Sequence, residues 1–167
     1  MEEIVNRVAD SGIKTIDLEK LKPSGLRSEI DLKKNLFQEL VLRESEFRNY
    51  IKETDWSLYS DQFVNVTCSA DAIVPNWAYM LIASKLSGIA KKVVFGDRKE
   101  LEKQLLLIEI DSIDLTQYTD ERVIIKGCSD EAIAEDAYLN LTLKLTPVVK
   151  SLMFGEPCSA VPVYKKR

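Results

Sequence analysis

Two hydrophobic periodicities alternate along this chain and predict its secondary structure. Short runs rich in β-branched and aromatic residues, typical of strands, stand at 62–67, 92–95, 105–110, 122–126 and 160–164. Between them, apolar residues recur at intervals of three and four, the spacing of a helix that buries one face. This alternation predicts an α/β fold, with a mixed or mostly parallel sheet and helices packed on both faces.

One helix is predicted to begin after Pro75. Proline suits the first turn of a helix, because the N–H that it lacks would have no partner there. One face of this helix carries Trp77, Met80, Leu81 and Ser84, and Ala78 and Ile82 flank that face.

A longer helix is predicted from about Asp130. It carries a stripe at helical spacing, which we expect to be buried, made of Ala134, Tyr138, Leu141, Leu145, Val148 and Leu152. Pro147 lies inside the stripe and indicates either a kink or the start of a new helix.

The first 27 residues are predicted to form a region of their own. A short helix at 2–9 is followed by a weak strand or extended arm from Ile13, and Pro23-Ser24-Gly25 is a turn by composition. Residues 28–167 are then predicted to form a single α/β domain. The N-terminal arm is either mobile or a contact in a homodimer.

Length and composition indicate an ordinary globular domain. The chain has 167 residues, of which 46% are hydrophobic and 30% charged. No apolar run approaches the roughly 20 residues that span a bilayer. The sequence begins with acidic and polar residues rather than an apolar leader. We therefore expect a cytoplasmic protein that does not enter membranes.

Charge and histidine content exclude several functions. The net charge of −4 and the pI near 5.1 argue against binding to a phosphate backbone, so no nucleic-acid partner is expected. Histidine is absent. This removes Ser-His-Asp and Cys-His catalysis and imidazole metal ligands.

Cys-Ser dipeptides mark two junctions at which a predicted strand leads into a predicted helix. Ligands of open α/β sheets bind outside the carboxyl ends of the strands, and a helix N-terminus favours a thiolate. We therefore predict that one edge of the sheet carries a set of ligand-binding residues, namely Cys68, Ser69, Asp71, Cys128 and Ser129. The plainer interpretation is that the serine and aspartate cap helices and that the cysteines are small buried residues. Beyond Cys-Ser, the two junctions share too little to indicate an internal repeat.

A third cysteine extends this prediction to a metal site. If the chain reverses at Pro147, Cys158 can join the other two thiols. The resulting ligand set for zinc or an iron–sulfur cluster would be Cys68, Cys128 and Cys158, with Asp71 or Glu156 as the fourth ligand. If the helix runs straight through Pro147, Cys158 is a structural residue of its turn. The Cys-x-x-Cys spacing typical of such sites does not occur.

Three longer segments carry a family resemblance: DAIVPNWAYMLIASKL, VIIKGC and SLMFGEPCSAVPVYKK. Together they make the chain, from about Leu42 onward, similar to an uncharacterised family of small Bacteroidetes proteins, a domain of unknown function. The resemblance implies a bacterial, cytoplasmic setting and one compact domain. It implies no activity, cofactor or catalytic residue.

Three functions from different classes follow from these residues. The first is a protein that binds a small ligand or a metal at the cysteine junctions. The second is a non-catalytic interaction module or homodimer formed through apolar helix faces and the N-terminal arm. The third is a thiol-dependent enzyme that works without histidine, with Asp71, Glu156, Lys126 or water as its base.

Overall fold

A computed structural model describes residues 12–127, 133–156 and 159–167 of the chain. Internal contacts divide this part of the chain into two compact units. The central unit is Ser24–Gln104, and the terminal unit consists of residues 12–23 and the described part of 105–167. The predicted domain that runs unbroken from residue 28 stays a prediction.

Strands and helices alternate within the described ranges, which confirms the α/β class. The elements in chain order are β1 (Ile13–Asp17), β2 (Arg27–Asp31), β3 (Leu36–Phe37), β4 (Val41–Leu42), α1 (Glu44–Glu53), β5 (Phe63–Thr67), α2 (Asn76–Leu86), β6 (Lys92–Phe95), α3 (Arg98–Ser112), β7 (Arg122–Lys126), α4 (Glu135–Leu145), β8 (Ser151–Phe154) and β9 (Val161–Lys165). Short 3₁₀ helices stand at Leu32–Asn35, Trp56–Tyr59 and Thr116–Tyr118. None of the described helices is both long enough and apolar enough to cross a bilayer.

The central unit contains a parallel sheet of order β2-β5-β6, and β3 and β4 pair separately as a small hairpin. Alternate residues of β5 point to opposite faces, so Val64 and Val66 lie in one hydrophobic cluster with residues of α1 and α2. The buried residues of α2 are Ala78, Ile82 and Leu86. The residues predicted to flank the main face of this helix are thus the buried ones, and Met80 is 69% exposed.

The terminal unit contains a four-stranded sheet of order β1-β7-β8-β9. The first three strands are parallel and β9 is antiparallel, so the sheet is mixed, as predicted. The end of α3 and all of α4 supply the helical side of one hydrophobic cluster. Its buried residues are Ile16, Leu18, Leu106, Ile110, Val123, Ile125, Ala137, Leu141, Leu145, Val149 and Leu152.

Two predicted elements were wrong. The segment 105–110 is part of α3 rather than a strand, because a leucine-rich run this short fits either structure and the helix has already started at Arg98. The predicted long helix ends at Leu145, before Pro147, and residues 151–154 form β8. Leu152 is fully buried, as predicted, but as a strand residue.

The two units repeat one arrangement, so the expectation that the junctions share too little to indicate a repeat was wrong. Each unit starts from a strand that ends in Ile-Asp and is followed by leucine. This Ile-Asp-Leu motif stands at 16–18 for β1 and at 30–32 for β2. After the β3–β4 hairpin, the central unit continues with α1, β5, α2 and β6, and the corresponding elements of the terminal unit are α3, β7, α4 and β8. The segment 44–97 corresponds to 103–156 with no insertion or deletion between their described residues.

Details of the backbone recur at matching positions of this repeat. Asp55 and Asp114 each precede a 3₁₀ helix, and the Oδ1 of each accepts from the N–H and the hydroxyl of the residue two places later. Those distances are 3.0 and 2.6 Å for Asp55 and 2.9 and 2.7 Å for Asp114. Asp61 and Asp120 both have positive φ, at 56° and 55°. Such φ values are uncommon outside glycine, so their match supports a true repeat.

The buried faces of the helices also match. In the second helix of each unit, residues at the same spacing are at most 1% exposed: Ala78, Ile82 and Leu86 in α2, and Ala137, Leu141 and Leu145 in α4. Phe47 and Ile51 of α1 correspond likewise to Leu106 and Ile110 of α3. Each unit therefore contains a βαβαβ arrangement built on three parallel strands, to which the terminal unit adds the antiparallel β9.

One buried position differs between the repeats. Asn65 of β5 and Ile124 of β7 correspond, and both are fully buried. The Asn65 Nδ2 donates to Glu29 Oε2 at 2.8 Å and to the Gly96 carbonyl at 3.1 Å. Its Oδ1 is buried and has no partner among the described residues. An unmade hydrogen bond of this kind costs about 1–3 kcal/mol.

We expect Leu141→Ala to lower the free energy of unfolding by about 2–5 kcal/mol, because it leaves a cavity in a fully buried cluster. Urea titration measures this loss. Leu143→Ala is the matched control on the same helix, since Leu143 is 73% exposed. A loss below about 1 kcal/mol for Leu141→Ala would contradict the core position.

We expect Asn65→Leu to change the free energy of unfolding by less than about 1 kcal/mol, because removing the unpartnered Oδ1 offsets the two lost bonds. Asn65→Asp should cost about 2 kcal/mol or more, since it buries a carboxylate beside Glu29. Chemical denaturation of both variants checks the pair. A large loss for Asn65→Leu would show that the two donated bonds outweigh the unmade one.

Candidate functional site

The carboxyl edge of the central sheet is held together by one aspartate. Asp31 ends β2, and its carboxylate accepts from the Ser69 N–H at 2.9 Å and from the Ser69 hydroxyl at 2.5 Å. It also accepts from the Lys33 N–H at 3.0 Å. Because Ser69 lies just beyond β5, these bonds fix the start of the β5–α2 loop against the neighbouring strand.

The same bonds stabilise the charge on Asp31. Partial burial works to raise the pKa of this carboxyl, but the hydrogen bonds from Ser69 and Lys33 outweigh it. The pKa of Asp31 is therefore lowered from its usual value. The carboxylate form is the one that holds the loop.

Cys68 is a free, half-buried thiol at this edge. It is the first residue after β5, and its side chain packs against the central hydrophobic cluster. The Sγ donates to the Ala70 carbonyl at 3.7 Å. The thiol is thus directed along the loop rather than buried within the core.

Two aromatic rings lie at the same edge. Tyr79 of α2 meets Phe95, the last residue of β6, edge to face, with ring centroids 5.2 Å apart and planes at 86°. Phe95 is 69% exposed. Within the described part of the chain, the Tyr79 hydroxyl has no hydrogen-bond partner. Burial raises the pKa of Tyr79, and charge on the nearby Cys68 raises it further.

The corresponding edge of the terminal sheet is built from different side chains. Lys126, which ends β7, forms an ion pair with Glu156 beyond β8, with Nζ and Oε2 2.8 Å apart. The hydrogen bond to Glu156 raises the pKa of Lys126, and the charges of Glu156, Asp17 and Glu19 add to this effect. Residues from three parallel strands thus meet at this edge as well.

The structure describes some of the predicted site residues and not others. Cys68, Ser69 and Asp71 all lie on the β5–α2 loop, where Ser69 and Asp71 are exposed. Glu156 lies in the terminal unit and is paired with Lys126. The remaining predicted residues, Cys128, Ser129 and Cys158, are outside the described residues. The shared thiol site therefore stays a prediction.

A metal centre finds no support in the described ranges. Within residues 12–127, 133–156 and 159–167, no group of three or more cysteine, aspartate or glutamate side chains is placed to hold a metal ion. The hypothesis of zinc or an iron–sulfur cluster rests on Cys128 and Cys158, which lie outside these ranges.

Sequence reasoning missed Asp31, Tyr79 and Phe95. All three belong to motifs that recur in both units: Ile-Asp-Leu at 16–18 and 30–32, Ala-Tyr at 78–79 and 137–138, and Phe-Gly at 95–96 and 154–155. An alignment of the two halves would have singled them out. Reading Cys-Ser alone did not, because that dipeptide is shifted by one place between the repeats.

An open depression of about 450 Å³ also occurs in the central unit, away from the strand ends. It is lined by Glu46, Asn49, Tyr50, Glu53 and Thr54. These residues come from successive turns of α1 and the residue that follows it. The depression is therefore the outer surface of one helix rather than a site formed by several elements.

The fold and this edge define a mixed α/β protein with two βαβαβ units and polar and aromatic groups at the strand ends. The chain belongs to the family described as Protein of unknown function (DUF2480), whose model matches residues 2–166. This confirms the predicted membership of a domain of unknown function. No curated protein and no solved structure matches the chain.

We expect Asp31→Asn to lower the free energy of unfolding by about 1 kcal/mol at neutral pH, because it weakens charge-assisted hydrogen bonds. The pKa of Asp31 is lowered from 3.8 in the folded state, so its contribution is present above that pH. It is lost as the pH falls through the folded-state pKa.

Urea titrations between neutral pH and the acid range below 3.8 check this expectation. The difference between wild type and Asp31→Asn should shrink as the pH falls. Asp71→Asn is the control, since Asp71 is exposed and has no hydrogen bond or ion pair among the described residues. A difference that stays constant with pH would contradict the role of the Asp31 carboxylate.

Proposed function

We propose that this protein binds a small organic ligand at the carboxyl edge of the central sheet. The site consists of Cys68, Ser69 and Asp71 on the β5–α2 loop, together with Tyr79 and Phe95. The observation that carries the proposal is the 69% exposed ring of Phe95, held edge to face by Tyr79 beside a free thiol. Ligands of open α/β sheets bind at this end of the strands.

The groups at this edge suit a ligand with both an apolar and a polar part. Phe95 offers an apolar surface, and an aromatic ring at the end of a strand contributes a large contact area. The Tyr79 hydroxyl and the Cys68 thiol supply polar groups at the same edge. Asp31 contributes indirectly, because its bonds to Ser69 hold the loop in place.

Other readings of the chain remain hypotheses beside this one. They are a metal at the three cysteines, an interaction module or homodimer, and a thiol enzyme. The metal hypothesis needs Cys128 and Cys158, which lie outside the described residues. A cytoplasmic location is part of the proposal. It is supported by the odd number of cysteines, three, and by the free thiol of Cys68.

The test follows the Cys68 thiol in a variant that carries no other cysteine, Cys128→Ser with Cys158→Ser. Fragments that bind are first found by shifts of backbone amide signals in NMR spectra. At about ten times its Kd, a fragment bound at the proposed site should slow alkylation of Cys68 by iodoacetamide about tenfold, because the thiol then reacts mainly in the free protein.

Phe95→Ala is the matched change and should abolish this protection while leaving the fold intact, since most of the ring is exposed. Fragments that bind elsewhere and leave Cys68 fully reactive would refute the proposal. Elemental analysis of the wild-type protein, purified without a chelator, distinguishes the metal hypothesis from the proposed binding of an organic ligand. Stoichiometric zinc or iron there would favour that hypothesis.

A further inference from the structure

Tyr79 and Tyr138 occupy the same position in the two repeats. Tyr138 meets Phe154 edge to face, with centroids 5.6 Å apart and planes at 86°, just as Tyr79 meets Phe95 at 5.2 Å and 86°. Each tyrosine lies on the second helix of its unit, and each phenylalanine ends the following strand. The ring pair is therefore part of the repeated frame.

The two tyrosine hydroxyls differ in what they contact. The Tyr138 hydroxyl donates to the Gly127 carbonyl at 2.6 Å, whereas the Tyr79 hydroxyl has no such bond among the described residues. Gly127 is the first residue after β7, and Cys68 is the first residue after β5. A Cβ at Gly127 would lie 2.6 Å from the Tyr138 hydroxyl oxygen.

This distance explains the difference. Only a glycine leaves room for the tyrosine hydroxyl to reach the backbone at the end of the strand. In the central unit the corresponding residue is Cys68, which carries a side chain, and the Tyr79 hydroxyl has no backbone acceptor among residues 12–127, 133–156 and 159–167. The matching ring is also more open there, since Phe95 is 69% exposed and Phe154 is half-buried.

We propose that the Tyr79 hydroxyl is the hydrogen-bonding group for the ligand, and that Gly127 removes its counterpart Tyr138 from this role. The inference rests on the proposed function and makes it more specific. Each chain has one such site, in the central unit. The residue that follows the middle strand, Cys68 or Gly127, determines which tyrosine is available.

The surroundings also indicate the class of ligand. An open phenyl ring favours a planar aromatic partner, and a phenol hydroxyl bonds to one polar group on it. The first charged residue after each of the two strands nearest to this ring is an aspartate, Asp71 after β5 and Asp97 after β6, and both are exposed. Arg98, which follows Asp97, is paired with Glu102. The negative charges of the two aspartates favour a neutral or cationic aromatic ligand over an anionic one.

The experiment measures Kd and stoichiometry for three probes of similar size: indole, benzamidine and benzoate. Indole and benzamidine should bind more tightly than benzoate, at one per chain. Tyr79→Phe should weaken their binding about five- to tenfold, the loss expected for one hydrogen bond. Tyr138→Phe, the matched control, should change Kd less than about twofold, and thermal unfolding confirms that both variants fold.

A second variant tests the cause. Cys68→Gly gives the central unit the glycine that the terminal unit has at the corresponding position, Gly127. The Tyr79 hydroxyl should then donate to the carbonyl of residue 68, as Tyr138 donates to Gly127. Ligand binding should weaken by the same factor as in Tyr79→Phe. Equal effects of Tyr79→Phe and Tyr138→Phe, two sites per chain, or a preference for benzoate would overturn this inference. In that case, protection of Cys68 from alkylation by a bound fragment would still support the proposed function. If no probe or fragment protects Cys68, both this inference and the proposed function are refuted.

Discussion

Packing of the second helix of each unit against the middle strand is the interaction on which the rest of the structure depends. An alanine, Ala78 in α2 and Ala137 in α4, lies at the start of each buried face and is at most 1% exposed. Its small side chain allows the helix to approach the sheet closely. Because parallel strands need a crossover of this kind, the helix packing brings the carboxyl ends of successive strands to one edge.

The two units share their backbone features but differ in the side chains at the ends of their strands. The frame recurs in both units as an aspartate that precedes a 3₁₀ helix, a positive φ before the middle strand and a pair of aromatic rings. The strand ends differ: Thr67 and Cys68 in the central unit correspond to Lys126 and Gly127 in the terminal unit. The ion pair of Lys126 with Glu156 and the bond from Tyr138 to Gly127 occupy the terminal edge internally. The central edge keeps the open ring of Phe95 and the Tyr79 hydroxyl, which has no hydrogen-bond partner in the described part of the chain.

The local pattern of hydrophobic residues predicted a strand correctly where β-branched side chains dominated a run. The β-branched runs at 92–95 and 122–126 form strands with those bounds, because such side chains fit a pleated surface and lose rotamer freedom in a helix. The run at 105–110 failed because leucine suits both structures. The face of α2 was also misjudged, since this helix is apolar almost all round and its sequence does not show which side meets the sheet.

The sequence by itself determined the α/β class, the positions of β5, β6, β7 and β9, and the exclusion of histidine chemistry. These follow from composition and local spacing, which act within a few residues. Tertiary structure alone decided that Asp31 holds Ser69, that Tyr79 meets Phe95, and that the central unit interrupts the terminal one. Pairing between strands distant in the chain depends on which apolar faces can be buried together. No single segment carries that information.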